Sequence, residues 1–134
     1  MNQLITKSAN LQNHYSGQIV HSAMKVHTKL GPGLLESVYE ACLVYELRNK
    51  GLDVKSQVGL PIKYGKMKFD IGFRIDLLVQ DAVIVELKVV EKICPVHKAQ
   101  LLSYLRLSGF RVGLLINFNT PSLRDGIHRI INGY

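Results

Sequence analysis

Three residues are best suited to chemistry: Asp76 in the run FRIDLLV, and Glu86 and Lys88 in the run VIVELKVV. Each carboxylate lies in a stretch that otherwise reads as a buried strand. An ion so placed must be paired, hydrogen-bonded or metal-bound, because desolvating it alone is costly. Alternation with period two puts Glu86 and Lys88 on one face of their strand, with Val83, Val85, Leu87 and Val89 on the other. Asp76 shares the Glu86 face across an antiparallel hairpin only if paired residue numbers have an even sum, so the loop must be odd, for example Gln80 to Ala82. Two carboxylates, a strand carbonyl and waters suit Mg²⁺ or Mn²⁺, and such an ion polarises a phosphate and acidifies a bound water. Lys88 would then orient or deprotonate that water and offset charge on the attacked phosphate. The same residues also suit a buried Glu86–Lys88 or Asp76–Lys88 ion pair joining two strands.

The elements that must position these residues are punctuated by Gly and Pro. Ile19, Ala23, Val26 and Leu30 recur at helical spacing and predict a helix over 15–30 that stops at Gly31-Pro32-Gly33, with residues 1–14 loosely ordered. A second helix over 34–50, closed by Gly51, is apolar on nearly all sides and so expected to be largely buried. Strand-like runs follow over 53–60 and 61–68, with Tyr64-Gly65-Lys66 as the turn signal. Runs over 73–79 and 82–90, rich in branched residues and separated by Gln80-Asp81, read as a central hairpin. Pro95 opens a helix to Leu107, Gly109 ends it, residues 111–117 form a strand, and residues 123–131 are read as a short closing helix. This order implies an α/β (α+β) domain: one mixed sheet flanked by helices, over residues 1–134.

Bulk properties narrow the class. The 134 residues suit one core, and 47% apolar with 20% charged residues is a folding composition. Seventeen Lys and Arg against ten Asp and Glu leave +7, spread along the chain, which makes a polyanionic partner plausible. No stretch reaches the roughly 20 apolar residues needed to span a bilayer, and the N-terminus lacks a signal-peptide core, so a cytoplasmic protein without a membrane partner is expected. Cys42 and Cys94 are too far apart, with no Cys-x-x-Cys, to suggest zinc or a disulfide framework. Lys63, Lys66 and Lys68 alternate along the expected hairpin, while Arg74, Lys92, Lys98 and Arg106 flank the acids and could track a phosphate backbone. No recognition helix is visible, so such binding would be weakly sequence-specific.

Asp76, nine intervening residues, then Glu86-Leu87-Lys88 resembles the Asp…(Asp/Glu)-x-Lys core of PD-(D/E)XK nucleases, with Ile75 where Pro often stands. Gly33-Leu34-Leu35-Glu36-Ser37-Val38-Tyr39, preceded by Val26-His27 and Leu30-Gly31-Pro32, resembles the opening of the GxxExxY protein family. Pro95-Val96-His97-Lys98-Ala99-Gln100-Leu101 and Leu114-Leu115-Ile116-Asn117-Phe118 resemble the same family, and the likeness covers residues 15–132. It implies a restriction-endonuclease-like fold. It also implies that Glu36, on an inward stripe with Leu43 and Leu47, helps bind the metal or its waters. His97, Gln100 and Tyr104 lie at i, i+3 and i+7 on one helix and resemble the Gln-x-x-x-Tyr element of exonuclease-like members. There Gln100 would hold a phosphate or the attacking water and Tyr104 would buttress it. His27, between Val26 and Leu30, is read as a packing residue, and Gly31-Pro32-Gly33 as an inter-helix turn rather than a phosphate loop.

The sequence therefore points to a Mg²⁺- or Mn²⁺-dependent nuclease acting on DNA or RNA. The alternative is an inactive nucleic-acid- or protein-binding module on the same fold. Small size suggests a homodimer or a protein partner.

Overall fold

The structure, a computed structural model, describes residues 2–133, with side chains from Leu11 onward except Ile71. Helices α1 (Asn2–Leu30) and α2 (Glu36–Asn49) are followed by strands β1 (Val54–Tyr64), β2 (Met67–Val79) and β3 (Val83–Lys88). Helix α3 (Pro95–Ser108), strand β4 (Val112–Asn117), a short 3₁₀ turn and strand β5 (Ile127–Ile131) complete the chain. The five strands form one sheet in the order β1-β2-β3-β4-β5. All neighbours are antiparallel except β3 and β4, which α3 joins as a parallel pair. A parallel pair needs such a crossover, and the sheet is therefore mixed, as expected.

Helices cover both faces. Ile19, Ala23 and Val26 of α1 and Tyr39, Leu43 and Leu47 of α2 pack with Val83, Val85 and Leu87 of β3 and with Leu114 and Ile116 of β4. On the opposite face Leu101 and Leu105 of α3 pack with Ile75, Leu78, Ile84 and Leu115. Gly113 of β4 lets α3 come this close, because a Cβ there would sit 3.0 Å from the Leu101 side chain. No helix among the described residues is long and apolar enough to cross a membrane.

Several boundaries differ from the sequence reading. α1 is continuous from Asn2 rather than from Tyr15. α2 buries only Tyr39, Leu43 and Leu47, leaving Val38 and Tyr45 exposed, because it lies on the outer side of a single sheet face. The expected strands over 53–60 and 61–68 are one strand, and Pro61 falls at the register shift between Leu60 and Ile62, where a missing N–H costs the ladder least. The expected closing helix is a single 3₁₀ turn followed by β5, whose residues IHRII complete the sheet edge against β4. Branched residues won over helical spacing there.

Candidate functional site

Asp76 comes from β2, and Glu86 and Lys88 from β3. The ladder joining these strands runs from Val79↔Val83 to Leu77↔Val85, so the loop is Gln80 to Ala82. The paired numbers have the even sum required, and Asp76 falls in the row opposite Glu86. Gln80 and Asp81 take left-handed backbone angles, and the Ala82 N–H donates to the Val79 carbonyl at 3.0 Å, the geometry of a tight hairpin turn. Beyond Leu77↔Val85 the pairing stops. The Leu87 N–H is received by Asp76 Oδ2 at 2.8 Å instead of by a strand carbonyl. Val83, Val85 and Leu87 face α1 and α2, while Ile84 faces α3, and Glu86 and Lys88 continue the Ile84 row.

Glu86 is 8% exposed, and its Oε1 has no hydrogen-bond partner. Burial pushes its carboxyl up to about 9. The charge of Asp76 and a side-chain hydrogen bond shared with it add to the rise, and Lys88 opposes it. Glu86 thus keeps its proton near neutrality, as a carboxyl in a dry place beside another does. The direct ion pairs among the described residues are Lys25–Glu46 at 3.0 Å and Lys55–Asp81 at 3.2 Å. Neither involves Lys88, so the alternative of a strand-joining ion pair with Glu86 or Asp76 is not realised. Lys88 stays half-buried beside the acids.

Helix α2 brings further acids. Glu36 begins it, and although the residue is exposed, its carboxyl is pushed up by desolvation first and then by Asp76 and Glu40, with Lys88 opposing. Tyr39, three residues on, is fully buried. It donates to the Gly31 carbonyl at 2.6 Å, accepts the Leu34 N–H at 3.1 Å and stacks on Phe118 with centroids 4.5 Å apart. Tyr39 is therefore a clamp on the α1–α2 elbow that fixes where Glu36 begins. His27, as read, is a packing residue whose Nε2 meets the Thr120 carbonyl at 2.8 Å.

Two residues absent from the sequence reading join the site. Glu40, one turn after Glu36, has its carboxyl raised by burial and by Asp76, while a hydrogen bond from Gln57 opposes the rise. Gln57 of β1 donates from Nε2 to Glu40 Oε1 at 2.8 Å and to Asp76 Oδ1 at 3.4 Å. The spacing of Glu40 from Glu36, i and i+4 on one helix, is a signal that could have found it. Asn117 was also unassigned. Its amide accepts the Val90 N–H at 3.1 Å and donates to the Val90 carbonyl at 2.9 Å, tying down the chain just after Lys88.

On the α3 side the stripe divides. The Tyr104 ring stacks on Phe73 at 4.1 Å, and its hydroxyl is pushed up by burial and then by Glu86 and Asp76, so Tyr104 borders the site. The Gln100 side chain is exposed and makes no hydrogen bond among the described residues, so the expected buttress between it and Tyr104 is not formed. His97 caps its own helix, accepting the Cys94 N–H at 2.9 Å, a donor that the helix itself leaves without an acceptor. Of the expected cations, Arg74 donates to the Gln57 carbonyl at 3.4 Å, and Lys98 lies near His128, whose basicity burial and then Lys98 depress. Lys63 and Lys68 stand opposite each other at the far end of the β1–β2 hairpin, and Lys66 lies in its turn. Lys92 is exposed in the loop before α3.

No group of three or more His, Cys, Asp and Glu side chains among the described residues is arranged to hold a metal ion by itself. Asp76 and Glu86 nevertheless fit a hard cation, because the orphaned Glu86 oxygen beside a second carboxylate marks a place where positive charge is wanted, and Mg²⁺ commonly takes one or two carboxylates and keeps its waters.

No curated protein matches the chain. Among solved structures, that of the protein SSO0001 superposes with a TM-score of 0.56 at 16% identity, covering 96% of this chain and 63% of that one. The chain thus spans less than two-thirds of that relative, and the likeness concerns the fold. Residues 13–130 match the PD-(D/E)XK nuclease superfamily, a span that contains every acid of the site, and the mixed sheet carries Asp76 and Glu86 on adjacent strands. The chain belongs to the PD-(D/E)XK nuclease superfamily.

Proposed function

We propose that the protein is a nuclease that hydrolyses phosphodiester bonds of DNA or RNA with Mg²⁺ or Mn²⁺ held by Asp76 and Glu86. The observation that carries this reading is Glu86: a buried carboxyl with one unpartnered oxygen, set against a second carboxylate, on a strand whose next residue on that face, Lys88, forms no direct ion pair among the described residues. When bound, the ion would supply Lewis acidity toward the phosphate and lower the pKa of a water. Lys88 Nζ would orient that water, take its proton or offset charge on the phosphate oxygens. Because the carboxylates do not form a three-acid cage, Glu36 is assigned to the waters of the ion rather than to the ion itself. Tyr104 would present its hydroxyl at the α3 edge of the site, and Gln100, one turn earlier and free of other partners, would hold a phosphate.

The resemblance to the GxxExxY family supports the role given to Glu36. Lys63, Lys66, Lys68, Arg74, Lys92 and Lys98 would follow the backbone of the nucleic acid, and the +7 charge supports such a partner. A cytoplasmic location without a membrane partner accords with the sequence, and a homodimer or protein partner would extend the small surface available for gripping a duplex.

The test is a Mn²⁺-dependent cleavage screen on single-stranded, double-stranded and structured substrates. Asp76→Ala and Lys88→Ala should each abolish cleavage with unchanged circular dichroism, and undiminished cleavage by both would overturn the assignment. The solvent-facing Gln100 and the absence of a preformed cage among the described residues favour a second reading, a binding module that does not cut. It predicts salt-dependent nucleic-acid binding with no Mn²⁺ uptake at Asp76.

A further inference from the structure

Gln57 takes a backbone φ of +52°, a left-handed conformation in which the Cβ of an ordinary residue crowds the following carbonyl. Among the described residues the other non-glycine positions with positive φ, Gln80 and Asp81, make the β2–β3 turn, where the fold demands it. Gln57 makes no turn. It lies inside β1, between the paired rows Ser56↔Leu77 and Val58↔Ile75, and the row it skips is the one it would share with Asp76.

Both strands change faces at this row. Val54 of β1 and Leu77 and Val79 of β2 pack toward α1 and α2, whereas Val58, Ile75 and Phe73 pack toward α3. Strict alternation would have kept Val54 with Val58 and Ile75 with Leu77. The kink frees the Asp76 carboxylate from either apolar cluster and turns the Gln57 amide onto it. Arg74, two residues before Asp76, secures the kink by donating to the Gln57 carbonyl at 3.4 Å.

We infer that Gln57 is a positioning residue that fixes the plane of the Asp76 carboxylate and couples it to Glu40. Gln57 Nε2 reaches Asp76 Oδ1 at 3.4 Å and Glu40 Oε1 at 2.8 Å, while the Leu87 N–H holds Asp76 Oδ2 at 2.8 Å. Each oxygen of Asp76 is thereby held from one side by a donor other than Glu86. A neutral amide donor suits a place between two carboxylates, where a third carboxylate would add repulsion and a glycine would satisfy the backbone but hold nothing. The inference rests on the metal-site reading above.

Replacing Gln57 separates the backbone from the amide. Gln57→Gly relieves the left-handed conformation, so its melting temperature should equal or exceed that of the wild type. Its affinity for Mn²⁺, measured by calorimetry, should nevertheless fall about tenfold, as is common when a hydrogen-bond partner of a metal ligand is removed. Wild-type affinity in Gln57→Gly would overturn the inference while leaving the metal site standing. A folded wild type that takes up no Mn²⁺ would overturn the metal-site reading and this inference with it.

Discussion

Glu86 binds a proton in the folded chain over the interval between its ordinary value of 4.5 and about 9. The unfolded chain has released that proton throughout most of this interval, so the folded state binds more protons and stability falls as pH rises. The penalty is absent below the ordinary value and complete above the raised one. Glu86→Gln, which cannot ionise, should flatten this dependence: thermal melts at pH 5 and pH 8 are expected to show the variant gaining several degrees over the wild type at the higher pH and little at the lower. The same proton must leave when a cation arrives. Mn²⁺ affinity should therefore rise with pH toward about 9, and titrations in two buffers of different ionisation enthalpy should differ in heat by the protons released. Equal heats in both buffers would mean that Glu86 is not a ligand.

At the scale of elements, the α1–α2 elbow and the β1–β2 hairpin decide where the acids meet. Tyr39→Phe removes the hydroxyl that satisfies both Gly31 and Leu34 across the elbow. The loss should cost about 1–3 kcal/mol in chemical denaturation while weakening Mn²⁺ uptake less than Asp76→Ala does. Tyr39 also illustrates how far the sequence could be read. Its motif was visible and marked the start of α2, but its role as a clamp depends on Phe118 and Gly31, which only the fold brings to it. The shared face of Glu86 and Lys88 was legible because period-two alternation is a local rule, whereas Asp76 joins their row only because the loop is Gln80 to Ala82 and not the two-residue Gln80-Asp81 that the runs over 73–79 and 82–90 suggest. Gln57 was not legible. Counting back from the Gly65-Lys66 turn with the register of Tyr64↔Met67 sets Lys55, not Gln57, opposite Asp76, and the two-residue shift at Pro61 corrects this only in the folded hairpin. The IHRII strand was misread for a related reason: five residues fit either period, and what selects a strand is the open edge of β4.

At the scale of the molecule, an acidic centre sits within a chain of net charge +7, and the cations lie outward from it. Lys63 and Lys68 face each other across the hairpin and share a cleft of about 580 Å³ with Arg106 and Asp70. Like charges directly opposite are unfavourable in a hairpin, so removing them should not harm folding. The double substitution Lys63→Ala and Lys68→Ala should leave the melting temperature equal or higher, weaken nucleic-acid binding for all sequences alike, and reduce the salt dependence of the binding constant by up to about two units of slope in fluorescence anisotropy. The switch of faces at the Gln57 and Asp76 row also divides the hairpin into two arms. The outer arm leans on α3, whereas the inner one packs Val54, Leu77 and Val79 against the N-terminal helices and Leu78 toward α3. Trimming or extending the outer arm by matched pairs of residues beyond Leu60 and Phe73 preserves the pleat at the acids, so this arm is where substrate reach can be re-engineered. An odd insertion at the switch itself would turn the centre inside out.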